Sequence, residues 1–92
     1  MTFDEACRKA IKRFLDSNLD YGIDVSGETK EDWYFMGGFA DSKIVNYSAF
    51  VLKINKITGN QTDMGLGLEN DKELKRVKKI DIPEEYRLKY KR

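Results

Sequence analysis

Acidic side chains crowd one stretch of this sequence, and they are the residues best suited to carry chemistry. Between positions 16 and 32 the only basic residue is Lys30. Carboxylates can work as an acid–base pair, as ligands of a hard metal ion, or as an acidic surface for a basic partner. The acids of this stretch are Asp16, Asp20, Asp24, Glu28, Glu31 and Asp32.

Metal binding and catalysis are disfavoured by the spacing of these acids. Asp16, Asp20 and Asp24 recur every fourth residue, whereas a calcium loop of the EF-hand type needs ligands at alternating positions and a closing Glu. The chain has no His, the commonest general base and metal ligand. We expect no catalytic residues, no metal and no cofactor. A small hydrolase with paired carboxylates is the enzymatic alternative, which a structure without a pocket would exclude.

Recognition of another molecule is the remaining chemistry. Adjacent strand residues point to opposite faces, so one of Trp33 and Tyr34 can be exposed beside Asp32, although aromatic residues here mainly predict core. An exposed aromatic residue next to an acid would be a binding hot spot. The partner-binding residues predicted from charge and expected exposure are Asp20, Asp24, Glu28, Glu31, Asp32 and Tyr34.

The remaining composition bounds the class of protein. The 92 residues are 40% apolar and 36% charged, which predicts one small domain, residues 1–92, under a charged shell. The single cysteine, Cys7, falls on an apolar stripe and predicts packing in a reducing cytosol rather than nucleophilic chemistry. The acidic N-terminus does not resemble a signal peptide, and no apolar run approaches the roughly 20 residues of a membrane span. We expect a cytoplasmic protein with no membrane partner.

The first element that the sequence predicts along the chain is an amphipathic helix. Thr2 and Glu5 have the spacing of a capping box, and helix-breaking residues follow Asp16, so the helix should end near there. Apolar residues then recur at helical spacing along one face: Phe3, Ala6, Cys7, Ala10, Ile11, Phe14 and Leu15.

Strand patterns fill the middle of the chain. Gly37 and Gly38 predict a bulge or bend, and Gly59 predicts the tight turn of a hairpin. The rest of the sequence predicts a loop over 41–48, a short helix over 71–79, a one-turn helix after Pro83 and a frayed basic tail over 87–92. The fold predicted is α+β, one N-terminal helix packed on an antiparallel sheet of about four strands with a short C-terminal helical segment. The four strands are predicted at 21–25, 33–39, 49–57 and about 61–66.

The C-terminal part is basic and supports two alternatives. Residues 1–50 carry a net charge of about −3 and residues 51–92 about +4. A nucleic-acid-binding module would use this basic third, but interspersed acids make nucleic acid a less favoured partner than protein. An oligomerising module would pair the edge strand at 61–66 with a second copy, forming a homodimer.

Three segments resemble the immunity protein 35 family of bacterial polymorphic toxin systems. They are an N-terminal helix with Phe3, Ala6 and Ala10, the aromatic strand Trp33-Tyr34-Phe35, and the hairpin approach Ile54-Asn55-Lys56-Ile57-Thr58-Gly59. The resemblance spans roughly residues 2–64. It implies a non-enzymatic protein that binds a cognate protein toxin and neutralises it by steric occlusion. An acidic surface would suit a basic toxin, such as a nuclease.

Overall fold

A computed structural model describes residues 1–41, 50–65 and 70–89 of the chain. Most of the predicted loop over 41–48, the ends of two predicted strands at 49 and 66, and residues 90–92 lie outside these ranges. The described elements are α1 (Phe3–Asp16), β1 (Val25–Glu28), β2 (Asp32–Met36), β3 (Val51–Asn55), β4 (Gln61–Met64), α2 (Asp71–Leu74), β5 (Lys78–Ile80) and a one-turn 3₁₀ helix (Glu84–Tyr86).

Helix α1 begins and ends where its sequence predicts. The Thr2 hydroxyl accepts the Glu5 backbone N–H at 3.2 Å, which is the N-cap bond of a capping box, and it donates to the Glu5 carboxylate. The helix ends at Asp16, after which Asn18 adopts a φ of 66° and the Leu19 N–H bonds the Phe14 carbonyl. This left-handed residue closes the helix, since Asn tolerates that conformation.

Five antiparallel strands form one sheet in the order β4-β3-β2-β1-β5. The predicted α+β architecture is confirmed, with one more strand than the four expected. The fifth strand, β5, pairs with β1 on the side away from β2. Its first two residues, Lys78 and Lys79, were included in the predicted helix over 71–79, of which only α2 is helical. β4 is an edge strand, as the oligomerising alternative requires.

The first face of the sheet packs under α1. Phe35 and Leu52 are paired in register and fully buried, and the Phe3 ring stacks on Phe35 at a centroid distance of 5.8 Å. Cys7 is also fully buried, and burial raises the pKa of its thiol to about 12. The main core contains Ala6, Cys7, Ala10, Ile11, Phe14, Leu19, Ile23, Trp33, Phe35, Leu52 and Ile54.

The second face carries a smaller core under α2 and the turn that follows it. Tyr34, Val51 and Met64 are buried, with Leu74 and Val77 packed against them. Because the side-chain period of a strand is two, Tyr34 and Val51 face away from α1 while their neighbours Phe35 and Leu52 face towards it. The side chain of Tyr34 is therefore covered by residues about 40 positions later in the chain.

The chain end returns to the start of the sheet. Ile23 forms an isolated parallel bridge with Arg87, and the Leu88 N–H bonds the Ile23 carbonyl at 3.0 Å. Gly22 lies so close that an added Cβ would be 2.5 Å from the Leu88 Cα. Leu88 is buried, so the prediction that the tail frays from residue 87 is wrong for this residue.

Strand boundaries differ from the predictions at two glycine positions. The first strand was predicted over 21–25, but β1 begins at Val25, because Gly22 has a φ of 125° that interrupts extended backbone. The second was predicted to run through Gly37, but β2 ends at Met36. A Cβ on Gly37 would lie 2.6 Å from the Phe14 ring, so the glycine makes room for α1. Gly59 has a φ of 74°, as the hairpin predicts.

Candidate functional site

The six predicted contact residues do not form one surface. Asp20 and Asp24 lie at the Met36 end of β2, where the Asp24 N–H bonds the Met36 carbonyl at 2.7 Å. The other four lie at the opposite end of β1 and β2. Four residues of extended strand separate Asp24 from Glu28, a span of about 13 Å. The predicted set therefore divides into two groups.

The first group surrounds an exposed tyrosine. Tyr21 is 55% exposed, and it lies between Asp20 and Asp24, which are both exposed. We call Asp20, Tyr21 and Asp24 the Tyr21 surface. The Tyr21 hydroxyl donates to the Glu85 carbonyl at 3.3 Å, and the Asp20 carboxylate accepts the Ala40 N–H at 2.7 Å. These bonds hold the surface in place before any partner arrives.

Two residues of the second group are not exposed as predicted. Asp32 is 8% exposed and Tyr34 is 4% exposed, because the α2 segment covers the face to which they point. Trp33 is 8% exposed on the other face, so neither member of the aromatic pair is free. The prediction of exposure was wrong for Asp32 and Tyr34. It holds for Glu31, which is exposed.

Glu28 lies at the rim of the first face, where it is half-buried. Its carboxylate pairs with the Lys56 ammonium at 3.2 Å, and that ammonium lies 5.6 Å from the centre of the Trp33 ring. The Lys56 N–H also bonds the Glu31 carbonyl at 3.0 Å. Lys56 thus joins the β1–β2 turn to the β3–β4 hairpin.

A polar cleft of about 690 Å³ opens between α2 and the Asp32 end of the sheet, and we call it the α2 cleft. The Tyr34 hydroxyl donates to the Glu73 carboxylate at 2.6 Å, and the Lys53 ammonium pairs with Glu73 at 2.8 Å. The same ammonium is 3.9 Å from the Asp32 carboxylate. The cleft is lined by Thr29, Lys30, Glu31, Asp32, Tyr34, Lys53, Lys72, Glu73 and Arg76.

Tyr34, Lys53 and Glu73 are held in their ordinary protonation states by shifts of their pKa values. Burial, together with the bond to Glu73, raises the pKa of the Tyr34 hydroxyl. The hydrogen bond to Glu73 raises the pKa of Lys53, and the bonds from Lys53 and Tyr34 lower the pKa of Glu73. All three shifts move titration away from neutral pH. The network therefore fixes charges in position and does not prepare a proton for transfer at neutral pH.

The α2 cleft bears on the hydrolase alternative. A structure without a pocket was the criterion for excluding it, and that criterion is not met. The cleft brings Asp32 and Glu73 to either side of Lys53. An acid–base pair would need one carboxyl pKa to be raised, whereas that of Glu73 is lowered.

Up to residue 89, where the described part of the chain ends, the C-terminal basic side chains do not all share one face. Lys78 and Lys79 are adjacent in β5 and so point to opposite faces of the sheet. Lys75 pairs with Asp71, while Arg87 and Lys89 both pair with Glu84. This dispersal does not give the continuous basic stripe typical of nucleic-acid-binding modules.

Sequence reasoning missed Lys53, Glu73 and Arg76 as members of a common site. Lys53 was identified only as a strand residue and Glu73 only as one of the acids among basic neighbours. Tyr34 and Glu73 are 39 residues apart, and the sequence carried no signal that joined them.

Comparisons with known proteins complete the description of the site. No protein-family model matches the chain, and neither curated proteins nor solved structures gave a match.

Within the described ranges, no three His, Cys, Asp or Glu side chains come together as metal ligands. No helix in the same ranges is long and apolar enough to cross a bilayer.

Proposed function

We propose that this chain is a non-enzymatic binding protein, an immunity protein that occludes a cognate bacterial toxin in the cytoplasm. The resemblance over residues 2–64 supplies the class of partner. The Tyr21 surface is the observation that supports binding. Tyrosine is enriched at binding hot spots because its ring buries a large area with few rotatable bonds while its hydroxyl can still bond.

The charge of the residues around Tyr21 in the sequence indicates which kind of toxin surface would bind. No Lys or Arg occurs between Arg13 and Lys30, and both aspartates of the Tyr21 surface are exposed. An acidic surface speeds encounter with a basic partner and fixes its orientation. A basic toxin, such as a nuclease, fits this field.

The direct test is co-expression with the toxin-domain protein encoded beside this gene, with survival of the bacterial host as the readout. The wild-type chain should protect the host. A Tyr21→Ala, Asp20→Asn and Asp24→Asn triple variant should bind the toxin at least about a hundredfold more weakly, since hot-spot residues each contribute about 2 kcal/mol or more. Asn keeps an oxygen that can accept the Ala40 N–H, so the loop should stay in place.

The matched control changes acids elsewhere on the surface. Asp71→Asn and Asp81→Asn remove two exposed carboxylates outside the Tyr21 surface and should leave protection intact. Protection by the triple variant equal to wild type would remove the Tyr21 surface from the interface. If no toxin gene lies beside this one, or if the wild-type chain does not protect, the immunity proposal itself is wrong.

A further inference from the structure

We infer that the α2 cleft is a binding site for a small, multiply charged oxyanion of the phosphate or carboxylate class. The cleft lies at the Asp32 end of β2, whereas the Tyr21 surface lies at the Met36 end. The inference is therefore independent of the toxin proposal.

The cations at the opening of the cleft are the first support. Lys30, Lys72 and Arg76 are all exposed, and none forms a salt bridge within 4 Å in the described part of the chain. Glu31 is the one exposed acid of the lining. Three cations against one carboxylate give the opening a surplus of two positive charges, and the lining as a whole, with four cations and three acids, carries a net charge of +1.

The two acids on the floor are held by internal partners, and because they share the Lys53 ammonium the floor keeps a net charge of −1. Glu73 accepts both the Tyr34 hydroxyl and the Lys53 ammonium, and Asp32 faces that ammonium and accepts a bond from the Asn55 amide at 3.4 Å. These acids are committed to internal partners. The lysine and arginine side chains at the opening can therefore bind an anion from solvent. Hydrogen bonds between two charged groups are stronger than those between neutral groups.

The size and position of the cleft fit a small molecule. Its volume of about 690 Å³ falls within the range of roughly 300–1,000 Å³ usual for small-molecule sites. Two separate parts of the chain supply the cations, the β1–β2 turn with Lys30 and the α2 segment with Lys72 and Arg76. An anion bound between them would bridge the turn and the helix.

Titration of the ¹⁵N-labelled chain with pyrophosphate and, separately, with citrate tests the site at constant ionic strength. We expect saturable NMR shifts confined to the backbone amides of residues 29–32 and 72–76. A response to pyrophosphate alone assigns a phosphate-bearing ligand, and a response to citrate alone assigns a polycarboxylate. Either result supports the site. The absence of a saturable shift with both anions at millimolar concentration overturns it.

Two double variants distinguish anion binding in the α2 cleft from a nonspecific effect of surface charge. Lys72→Gln with Arg76→Gln should raise the Kd about tenfold or more, as expected for loss of charge-assisted bonds. Lys75→Gln with Lys78→Gln removes two exposed cations outside the cleft and should leave the Kd within about twofold, the change expected from weakly coupled surface charges. Thermal melting checks that both variants fold. An equal loss of affinity in both pairs overturns the inference.

A single-stranded oligonucleotide is the third probe. If it binds more tightly than either small anion and shifts the amides of Lys78 and Lys79 as strongly as those of the cleft, the small-anion assignment is wrong. That result would favour a nucleic-acid surface spread over β5.

Discussion

The two faces of the sheet are covered by very different amounts of structure. Among the described residues, the first face lies under the 14 residues of α1 and shares a core of eleven buried residues. In the same ranges, the second lies under the four residues of α2 and shares a core of three. On the first face packing is almost wholly apolar, whereas on the second an ionic network around Lys53 continues the apolar cluster to the end of the sheet.

This difference suggests that stability and recognition are divided between the faces. The free energy gained by apolar burial increases with the apolar area removed from water, so the first face contributes most of the free energy of folding. Partly exposed ion pairs contribute little to stability, so the second face can carry charge for binding at small cost to the fold. Three predictions test this division.

The largest expected effect is loss of a buried ring from the first face. Phe35→Ala should destabilise the chain by about 3–5 kcal/mol, because it leaves a cavity in the middle of the main core. Leu74→Ala on the second face should cost no more than about 2 kcal/mol, since this side chain is only half-buried. Urea unfolding followed by circular dichroism measures both. Equal destabilisation would contradict the division between the faces.

The second prediction concerns the close contact between β2 and α1. Gly37→Ala should cost about 1–3 kcal/mol, because the new methyl group would meet the Phe14 ring at 2.6 Å. Gly38→Ala is the matched control: its Cβ would meet only the Leu88 side chain, at 3.5 Å, an ordinary contact. Thermal melts should show a lowered Tm for the first variant and little change for the second. Similar Tm values would mean that α1 has room to move.

The smallest effect concerns the network on the second face. The pKa of Glu73 is lowered in the folded chain from an ordinary value of 4.5, so its charge stabilises the fold above that pH. This contribution is lost as the pH falls below 4.5 and through the folded pKa. Glu73→Gln should therefore cost about 1 kcal/mol at neutral pH, reduced by partial exposure, and less in acid. Free energies of unfolding at pH 7 and pH 3 test this, and a constant difference would contradict it.

The first face was largely predictable from the sequence. The apolar stripe of α1 is local and periodic, and Thr2 and Glu5 mark its start. In the predicted third strand, Phe50, Leu52 and Ile54 alternate and so indicate which side is buried; Leu52 and Ile54 belong to the main core, and Phe50 packs against it.

The second face was not predictable because its cover is distant in the chain. Tyr34 lies in a strand that is apolar on both sides, and nothing near it in sequence shows what covers the second side. The cover comes from Glu73, Leu74 and Val77, which lie in the predicted helix over 71–79, and the sequence pattern does not show which surface that helix covers. The β5 strand was missed for a similar reason, since a three-residue strand with two lysines is defined by its pairing to β1.

The pairing of β1 with β5 has a consequence during synthesis. Ser26 pairs with Ile80, so one edge of β1 has no partner strand until a segment 54 residues later has been translated. Until that segment leaves the ribosome, the nascent polypeptide presents an open hydrogen-bonding edge beside a forming core. Such an edge can pair with a strand of another chain, and the four residues of β1 keep that pairing short.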